Sequence, residues 1–285
     1  MQRILSTYRY VNRPLAPELL AEVARAGISG IEIFCDASHF NFRSAQAVRD
    51  LASVLEERGL GLHSLHAPTE RSSDSGYRGG TPLSISDPER IRRLDAVDEV
   101  KRALEVAERI PFRYLVQHMG SGRQEADRRK LDAAFTSLEH LAVFAKQRGV
   151  TIALENKPDE LGSPATLVHF IKETHLNLLR FCFDTGHAHV EPGVAAGFEL
   201  MSERVVTTHI HDNHGEKDEH LLPYDGSIDW DATLGSFASA PEPLPLVLEL
   251  KERAPGTPSL DEIRAVYDKI ENRLDEKGAG AARAD

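Results

Sequence analysis

The feature that most constrains the fold of this chain is a regular alternation of short β-type runs with longer amphipathic helical patterns. The candidate strands are ILSTY from Ile4, GIEIF from Gly30, GLHSLH from Gly61, RYLVQH from Arg113, VTIALE from Val150, RFCFD from Arg180, VVTTHIH from Val205 and LPLVLEL from Leu244. Eight βα units fit one α/β barrel of the (β/α)8 TIM type. An open doubly wound sheet is the alternative, but no glycine-rich dinucleotide turn follows the first strand. We therefore expect a barrel and no nucleotide cofactor.

Two loops of the predicted barrel are unusually long. The loop over residues 67–86 follows the third strand, and the loop over residues 212–227 follows the seventh. Loops of this length within a compact domain are usually functional, and both would lie at the end of the barrel where the strands finish. The sequence fits a single barrel domain over residues 1–274, and the small polar segment 275–285 predicts a flexible C-terminal tail.

Net charge and apolar patterning limit the possible partners. The formal net charge of −11 makes nucleic acid an unlikely partner, because phosphate contacts need clustered Lys and Arg. The N-terminal residues contain no signal-peptide apolar region, and no later run approaches the ~18 apolar residues of a membrane span. Cys35 and Cys182 lie in apolar runs, so we expect both to be buried and reduced. These patterns predict a soluble cytoplasmic protein without a membrane partner.

Metal-ligating residue types stand at the ends of the third to eighth candidate strands. They are His66, His118, Glu155, Asp184, His209 or His211, and Glu249, and the loop after the seventh strand adds Asp218 and His220. The active site of a TIM barrel forms where its strands end. Clustered carboxylates would repel one another unless a cation were present, and carboxylate with imidazole suits Zn, Mn, Co and Fe. The pattern therefore predicts a metal site at the mouth of the barrel.

The pattern does not decide which histidine of the seventh strand is the metal ligand, and three further histidines lie outside the pattern. His209 and His211 are two residues apart on a strand, so their side chains share one face and periodicity does not choose between them. We expect packing or surface roles for His63 and His175. For His189 we expect a position behind the site or on the surface.

Five segments carry a family resemblance: LHAP, LENKP, DTGHAH, HIHDN and DEHLLPYDGSIDW. Together they resemble the xylose-isomerase-like TIM-barrel superfamily, which includes sugar and sugar-phosphate isomerases and epimerases and endonuclease IV. The likeness spans most of the chain. It implies a divalent metal (Mn, Co or Zn), and the ligands that it implies are Glu155, Asp184, His209 and Glu249. The His-x-x-Asp form of the seventh-strand motif selects His209 over His211.

The resemblance also implies an enzyme. It would be an isomerase or epimerase of a sugar, keto-sugar or sugar phosphate that acts through proton abstraction and an enediolate intermediate. Glu155 and Glu249 would be the catalytic acid/base pair. The residues expected to bind substrate are His187, Lys157, His66 and His118. The partner would be a small carbohydrate, and a homo-oligomer is possible.

Two other activities stay open. Endonuclease IV suggests a multinuclear zinc phosphodiesterase, whose additional ligands would be His66, His118, His187, Asp218 and His220. Three features argue against a DNA substrate. The net charge is acidic, the segment HAPTERSSDSGYRGG has no aromatic residue directly after HAP, and the fourth strand ends in QHMG in place of His-Pro-Gly. A metal-dependent lyase or dehydratase would begin with the same proton abstraction. Arg71, Arg78 and Arg123 could bind a phosphate or a sugar acid at the rim, and solvated surface charge explains them equally well.

Overall fold

A computed structural model describes residues 2–71, 80–253 and 256–281, and for residues 277–281 the backbone alone. Within that part of the chain, eight strands form one parallel sheet in the order β10-β1-β2-β3-β6-β7-β8-β9. The strands are β1 (Arg3–Ser6), β2 (Gly30–Phe34), β3 (Gly61–His66), β4 (Glu70–Arg71), β5 (Thr81–Pro82), β6 (Tyr114–Gln117), β7 (Thr151–Glu155), β8 (Arg180–Asp184), β9 (Val205–His209) and β10 (Leu246–Leu248). A parallel bridge between Ile210 and Leu248 joins the two edges into a nearly closed barrel. The predicted TIM-barrel fold is confirmed.

Helices follow the strands and cover the outside of the barrel. They are α1 (Pro17–Arg25), α2 (Ala45–Arg58), α3 (Arg90–Glu105), α4 (Arg128–Lys146), α5 (Pro164–Thr174), α6 (Thr185–Val190), α7 (Val194–Met201), α8 (Trp230–Ala238) and α9 (Leu260–Ala281). Sequence signals set several of their ends. The Ser44 side chain accepts a hydrogen bond from the Ala47 backbone N–H at the start of α2, and Gly59 ends that helix with a left-handed φ of 64°.

The alternation of side chains along β8 aims the site residues into the barrel. Phe183 points outward and packs against Phe198 of α7, with ring centroids 5.2 Å apart. Cys182 lies on the opposite face, in a small buried cluster with Val116 of β6. Asp184 follows Cys182 by two residues and therefore shares its inward face.

The large buried core lies between the sheet and the helices, as in other barrels of this type. Cys35 and Cys182 are both buried free thiols, as expected. No helix within the described residues is long and apolar enough to cross a membrane.

Local pairing occurs in the described parts of the two long loops, and residues 72–79 of the first loop lie outside the described residues. The loop after β3 contains the antiparallel pair β4–β5. In the loop after β9, Asp212 pairs with Leu221 through backbone hydrogen bonds. The Asp212 carboxylate also accepts hydrogen bonds from the backbone N–H of Ile228 and from Trp230 Nε1, at 3.1 and 2.7 Å. This buried carboxylate holds both ends of the loop.

The C-terminal helix α9 continues to Ala281 and passes Asp275 without a break. The sequence predicts a flexible tail from that residue onward, and the backbone is helical there. The division into a barrel over 1–274 and a flexible tail over 275–285 stays a prediction.

Candidate metal centre

The ends of the strands and the loop after β9 gather three groups of metal-ligating side chains, two of which share Glu155, at the carboxyl-terminal end of the barrel, here called the mouth. Within each group the ligand atoms lie within 4.8 Å of one another. The groups among the described residues are Glu155, Asp184, His209 and Glu249; His66, His118 and Glu155; and His211, Asp218 and His220. All four members of the first group are buried. That group is the ligand set implied by the family resemblance.

Glu155 lies at the centre of the mouth and joins two of the groups. Its Oε2 is 2.9 Å from His118 Nε2 and 3.3 Å from His66 Nε2, and its Oε1 is 3.1 Å from His209 Nδ1. Two ligands of one cation, each about 2.0–2.2 Å from it, stand roughly 3–3.5 Å apart. The separations around Glu155 therefore match those of atoms that share a metal ion.

Backbone carbonyl groups fix the orientation of three imidazole rings. The Nδ1 atoms of His66, His187 and His220 bond to the carbonyl oxygens of Ala67, Asn156 and Glu249, at 2.9, 2.8 and 3.1 Å respectively. A carbonyl oxygen only accepts, so each Nδ1 donates the hydrogen bond, and each Nε2 is directed at a carboxylate of the mouth, Glu155 for His66 and Asp218 for the other two. Metal-bound histidines show the same arrangement, in which the second ring nitrogen donates to a carbonyl or carboxylate.

His209 is oriented by a buried carboxylate that sequence reasoning missed. Its Nε2 lies 3.0 Å from Glu32 Oε1, and the Ser64 hydroxyl donates to Glu32 Oε2 at 2.7 Å. The Nδ1 of His209 faces Glu155. Glu32 is fully buried within GIEIF, and a lone carboxylate inside an apolar strand could have signalled it, because a buried charge needs a partner.

His211 also belongs to the mouth, although the resemblance passed over it. Its Nε2 lies 3.0 Å from Asp184 Oδ2 and 3.8 Å from Asp218 Oδ1. Its ring stacks on that of His220 with centroids 4.1 Å apart. His187 Nε2 lies 3.5 Å from Asp218 Oδ2, so it approaches the same carboxylate. The side chains of His209 and His211 thus point to one end of the barrel and join different groups.

Gly186 has no side chain, and the His211 ring occupies the space that a side chain there would fill. A Cβ atom at residue 186 would lie 2.0 Å from His211 Cε1. The Asn213 side-chain amide donates to the Gly186 carbonyl at 2.8 Å, which ties the start of α6 to the loop after β9. Any larger residue at 186 would push the His211 ring away from Asp184.

Carboxylates and imidazole rings lie close together at the mouth and shift the pKa values of one another. Burial would raise the pKa of Glu155, but His209 and His118 hold it well below the ordinary value. The pKa of Glu249 is raised to about 7, chiefly by burial. Burial would lower the pKa of His209, but the neighbouring carboxylates of Glu249, Glu32 and Glu155 raise it well above the ordinary value.

Several buried polar atoms at the mouth have no hydrogen-bond partner among the described residues. They are His118 Nε2, Glu155 Oε2 and His211 Nδ1. The first two lie 2.9 Å apart without the geometry of a hydrogen bond. A buried unpaired polar atom calls for an explanation such as an ion or an ordered water. Oxygen and nitrogen donors of this kind fit a divalent cation.

A cavity of about 370 Å³ opens above the three groups. The four residues predicted to bind substrate all line it, and they are His66, His118, Lys157 and His187. Tyr8 and Phe34, which sequence reasoning missed, form an aromatic wall with ring centroids 5.1 Å apart. Pockets of about 300–1,000 Å³ are typical of small-molecule sites. The substrate-binding roles themselves stay predictions.

Among the other residues singled out from the sequence, Arg71, Arg123, His175 and His189 do not line this cavity. Arg71 is 3.5 Å from Asp95, Arg123 is exposed, and Arg78 lies outside the described residues. His175 is exposed in a left-handed conformation at the end of α5, and His189 bonds to the Ser227 hydroxyl near the surface. The expected surface roles of His175 and His189 agree with these positions.

Comparison with known proteins gives the family. The model of the family described as xylose isomerase-like TIM barrel matches residues 20–270. The chain therefore belongs to the xylose isomerase-like TIM-barrel family.

The chain is also similar to individual proteins and to solved structures. The uncharacterized protein y4fM of Sinorhizobium fredii is 28% identical over 222 residues, which are 69% of this chain and 68% of the relative. A probable endonuclease 4 of Haloquadratum walsbyi is 25% identical over 193 residues, which are 59% of this chain and 66% of the relative. The crystal structure of a D-tagatose 3-epimerase-like protein superposes with a TM-score of 0.80 at 22% identity and covers 99% of this chain and 100% of that chain.

Proposed function

We propose that this protein is a divalent-metal-dependent isomerase or epimerase of a sugar, keto-sugar or sugar phosphate. One observation carries the proposal: Glu155 and Glu249 belong to one group of potential ligands with Asp184 and His209, and both line the cavity at the mouth. Solved structures with this fold include sugar 3-epimerases, which supports an enzyme of this superfamily.

The side chains at the mouth suit proton transfer next to a carbonyl group. A divalent cation would polarise the carbonyl and stabilise negative charge on the substrate oxygens. Glu155 and Glu249 would act on the carbon-bound proton, one removing it and the other returning it. Lys157 and His187 would donate hydrogen bonds to hydroxyl or phosphate oxygens. The wall formed by Tyr8 and Phe34 would pack against the carbon skeleton.

Solvent exchange at carbon tests this proposal. The Mn²⁺-loaded protein is incubated in D₂O with a panel of ketopentoses, ketohexoses and their phosphates, and proton NMR follows the loss of carbon-bound protons. We expect exchange with at least one ketose. Glu155→Gln and Glu249→Gln should each slow it about 10²- to 10⁴-fold, the usual contribution of a positioned acid or base.

An exposed glutamate provides the matched control. Glu57 lies on α2 and is exposed, so Glu57→Gln makes the same chemical change away from the mouth and should leave exchange unchanged. If the wild-type protein exchanges no proton in any ketose of the panel, or if both mouth variants exchange as fast as wild type, the proposal is wrong.

A second candidate function is a multinuclear zinc phosphodiesterase. The two further ligand groups at the mouth favour it, since three groups, of which only two share a residue, offer ligands for more than one cation. The similarity to a probable endonuclease 4 also supports it. Two or three metal ions per chain by mass spectrometry, together with zinc-dependent nicking of an abasic-site duplex, would make it the leading function. One ion and no nicking would exclude it.

Several narrower predictions depend on these experiments. They are the identity of the metal, the particular sugar, a lyase or dehydratase outcome of the same proton abstraction, a homo-oligomer, and a cytoplasmic location. Each stays a prediction.

A further inference from the structure

A second cavity, of about 460 Å³, lies at the amino-terminal end of the barrel, opposite the mouth. We call it the basal cavity. Its lining includes three arginines that stand at strand starts: Arg113 precedes β6, Arg180 begins β8 and Arg204 precedes β9. Because all strands of the barrel are parallel, residues at their starts meet at one end. The basal cavity therefore gathers guanidinium groups as the mouth gathers carboxylates and imidazoles.

None of these three guanidinium groups lies within 4.0 Å of a carboxylate in the part of the chain that the structure describes. Arg180 Nη1 donates to the carbonyl oxygens of Asn177 and Leu179 at 2.8 and 2.9 Å, and Arg204 Nη2 donates to Asn177 Oδ1 at 3.1 Å. These bonds hold two of the side chains in place and leave other N–H groups on each of them. The chain has 45 acidic residues against 34 basic ones, so a group of three described arginines without an ion pair is not the result of an excess of basic residues.

The inner wall of the basal cavity is formed in part by the buried imidazole ring of His63. His63 is 5% exposed, its Nε2 is 3.0 Å from Thr207 Oγ1, and its ring meets the edge of Tyr114. Burial, and to a smaller degree Arg113, lowers the pKa of His63 to about 4, so the ring is neutral at neutral pH. His63 therefore adds no positive charge to the three guanidinium groups.

Two glutamates reduce the positive charge at the basal cavity without reversing it. Glu203 and Glu242 also line the cavity, which leaves three positive charges against two negative ones. Neither glutamate lies within 4.0 Å of a guanidinium group among the described residues. The arginines are thus free to bind a ligand that approaches from solvent.

We propose that the basal cavity binds the oxyanion group, a phosphate or a carboxylate, of a small molecule. Guanidinium groups form paired N–H···O bonds to such groups, and these charge-assisted bonds are among the strongest in proteins. The volume lies within the range of small-molecule pockets. The proposal does not depend on the activity at the mouth.

Calorimetric titration of the full-length protein with inorganic phosphate, and separately with citrate, tests the proposal. We expect saturable binding of at least one of these anions, and the ratio of their affinities distinguishes a phosphate from a carboxylate ligand. Arg113→Ala should weaken binding about tenfold, as loss of one charge-assisted hydrogen bond of about 1.5 kcal/mol predicts. The double variant Arg180→Ala, Arg204→Ala should abolish it.

Two controls locate the binding. Arg128 on α4 has a side chain 94% exposed, so Arg128→Ala removes the same charge elsewhere and should leave the affinity unchanged. Lys157→Ala removes a cation at the mouth, so it reports whether the anion is bound there instead of at the basal cavity. No saturable binding of either anion up to about 10 mM, a very weak affinity, would overturn the proposal, and so would unchanged affinity in Arg113→Ala.

Arg113→Ala tests whether the basal cavity binds an oxyanion even if the double variant does not fold. The Arg113 guanidinium makes no hydrogen bond or ion pair within the described residues, so its removal breaks no polar interaction among them. A loss of affinity in Lys157→Ala alone would place the anion at the mouth and would likewise overturn the proposal.

Discussion

The two ends of the barrel arrange their charges in opposite ways. At the mouth, charged groups face one another at short range, and Glu155 alone lies within 3.4 Å of four imidazole rings. At the basal cavity, the described arginines face solvent and have no carboxylate within 4.0 Å. Both ends are products of one topology, since parallel strands collect the residues that precede them at one end and those that follow them at the other.

This difference teaches that the chemistry of each end depends on the residue types next to the strands. At the mouth the carboxylates are buried, so their repulsion is large unless cations or protons offset it. At the basal cavity the cations are partly exposed, so they are stable without partners and stay available to a ligand. The following predictions test this contrast.

Removal of divalent cations should have the largest effect, and it should act on the mouth. A ligand at about 1,000 times its Kd stabilises the folded state by about 4 kcal/mol, which corresponds to a rise in Tm of roughly 8–16 °C for a chain of this size. Differential scanning calorimetry of chelator-treated protein, before and after addition of Mn²⁺ or Zn²⁺, measures it. Asp184→Asn should lose most of the shift, whereas Arg113→Ala should keep it. If the Tm of the wild-type protein is the same with and without added cation, the mouth binds no cation and the contrast between the two ends is wrong.

Glu32→Gln should weaken metal binding at the mouth although Glu32 is not itself in a ligand group. The carboxylate fixes the His209 ring and increases its basicity, and loss of such a partner typically costs about 10- to 100-fold in metal affinity. Competition with a chromophoric chelator measures the affinity without reference to catalysis. Glu57→Gln is the matched control. Equal affinities of the Glu32 variant and the wild type would show that His209 needs no support from Glu32.

Gly186→Ala and Gly197→Ala should change stability in opposite directions. Both glycines are helical, but a Cβ at Gly186 would lie 2.0 Å from His211, whereas at Gly197 the nearest atoms are 3.4 Å away. Overpacking costs about 1–3 kcal/mol, and alanine in place of helical glycine gains up to about 1 kcal/mol. Urea unfolding compares the two free energies of unfolding. A stabilised Gly186 variant would mean that His211 moves freely and does not belong to a fixed site.

Much of the mouth could be predicted from the sequence because its signals are local. The alternation along each strand and the residue at its end place Glu155, Asp184 and Glu249 on the inward face at one end of the barrel. The helices could also be predicted from the sequence, since capping residues such as Ser44 and Gly59 mark their ends.

The parts that the sequence did not reveal depend on contacts between distant segments. Glu32 meets His209 only because barrel closure brings β2 opposite β9, 177 residues apart in the chain. His211 meets Asp218 because the loop after β9 folds back on Asp212, whose hydrogen bonds are invisible in a linear pattern. The basal arginines carried no signal, since an arginine before a strand is ordinarily solvated.

The smallest expected effect concerns pH at the basal end of the barrel. Burial lowers the pKa of His63 from 6.5 to about 4, so the unfolded chain takes up a proton first as the pH falls. The folded state therefore keeps its stability above about pH 6.5 and loses it as the pH falls toward 4. His63→Gln removes this titration, and its free energy of unfolding should depend less on pH, by on the order of 1 kcal/mol between about pH 7 and about pH 5. Urea unfolding at both pH values measures the difference. Parallel pH dependences of the two proteins would show that His63 is as well solvated as a surface histidine, and the basal cavity would then lack its neutral inner wall.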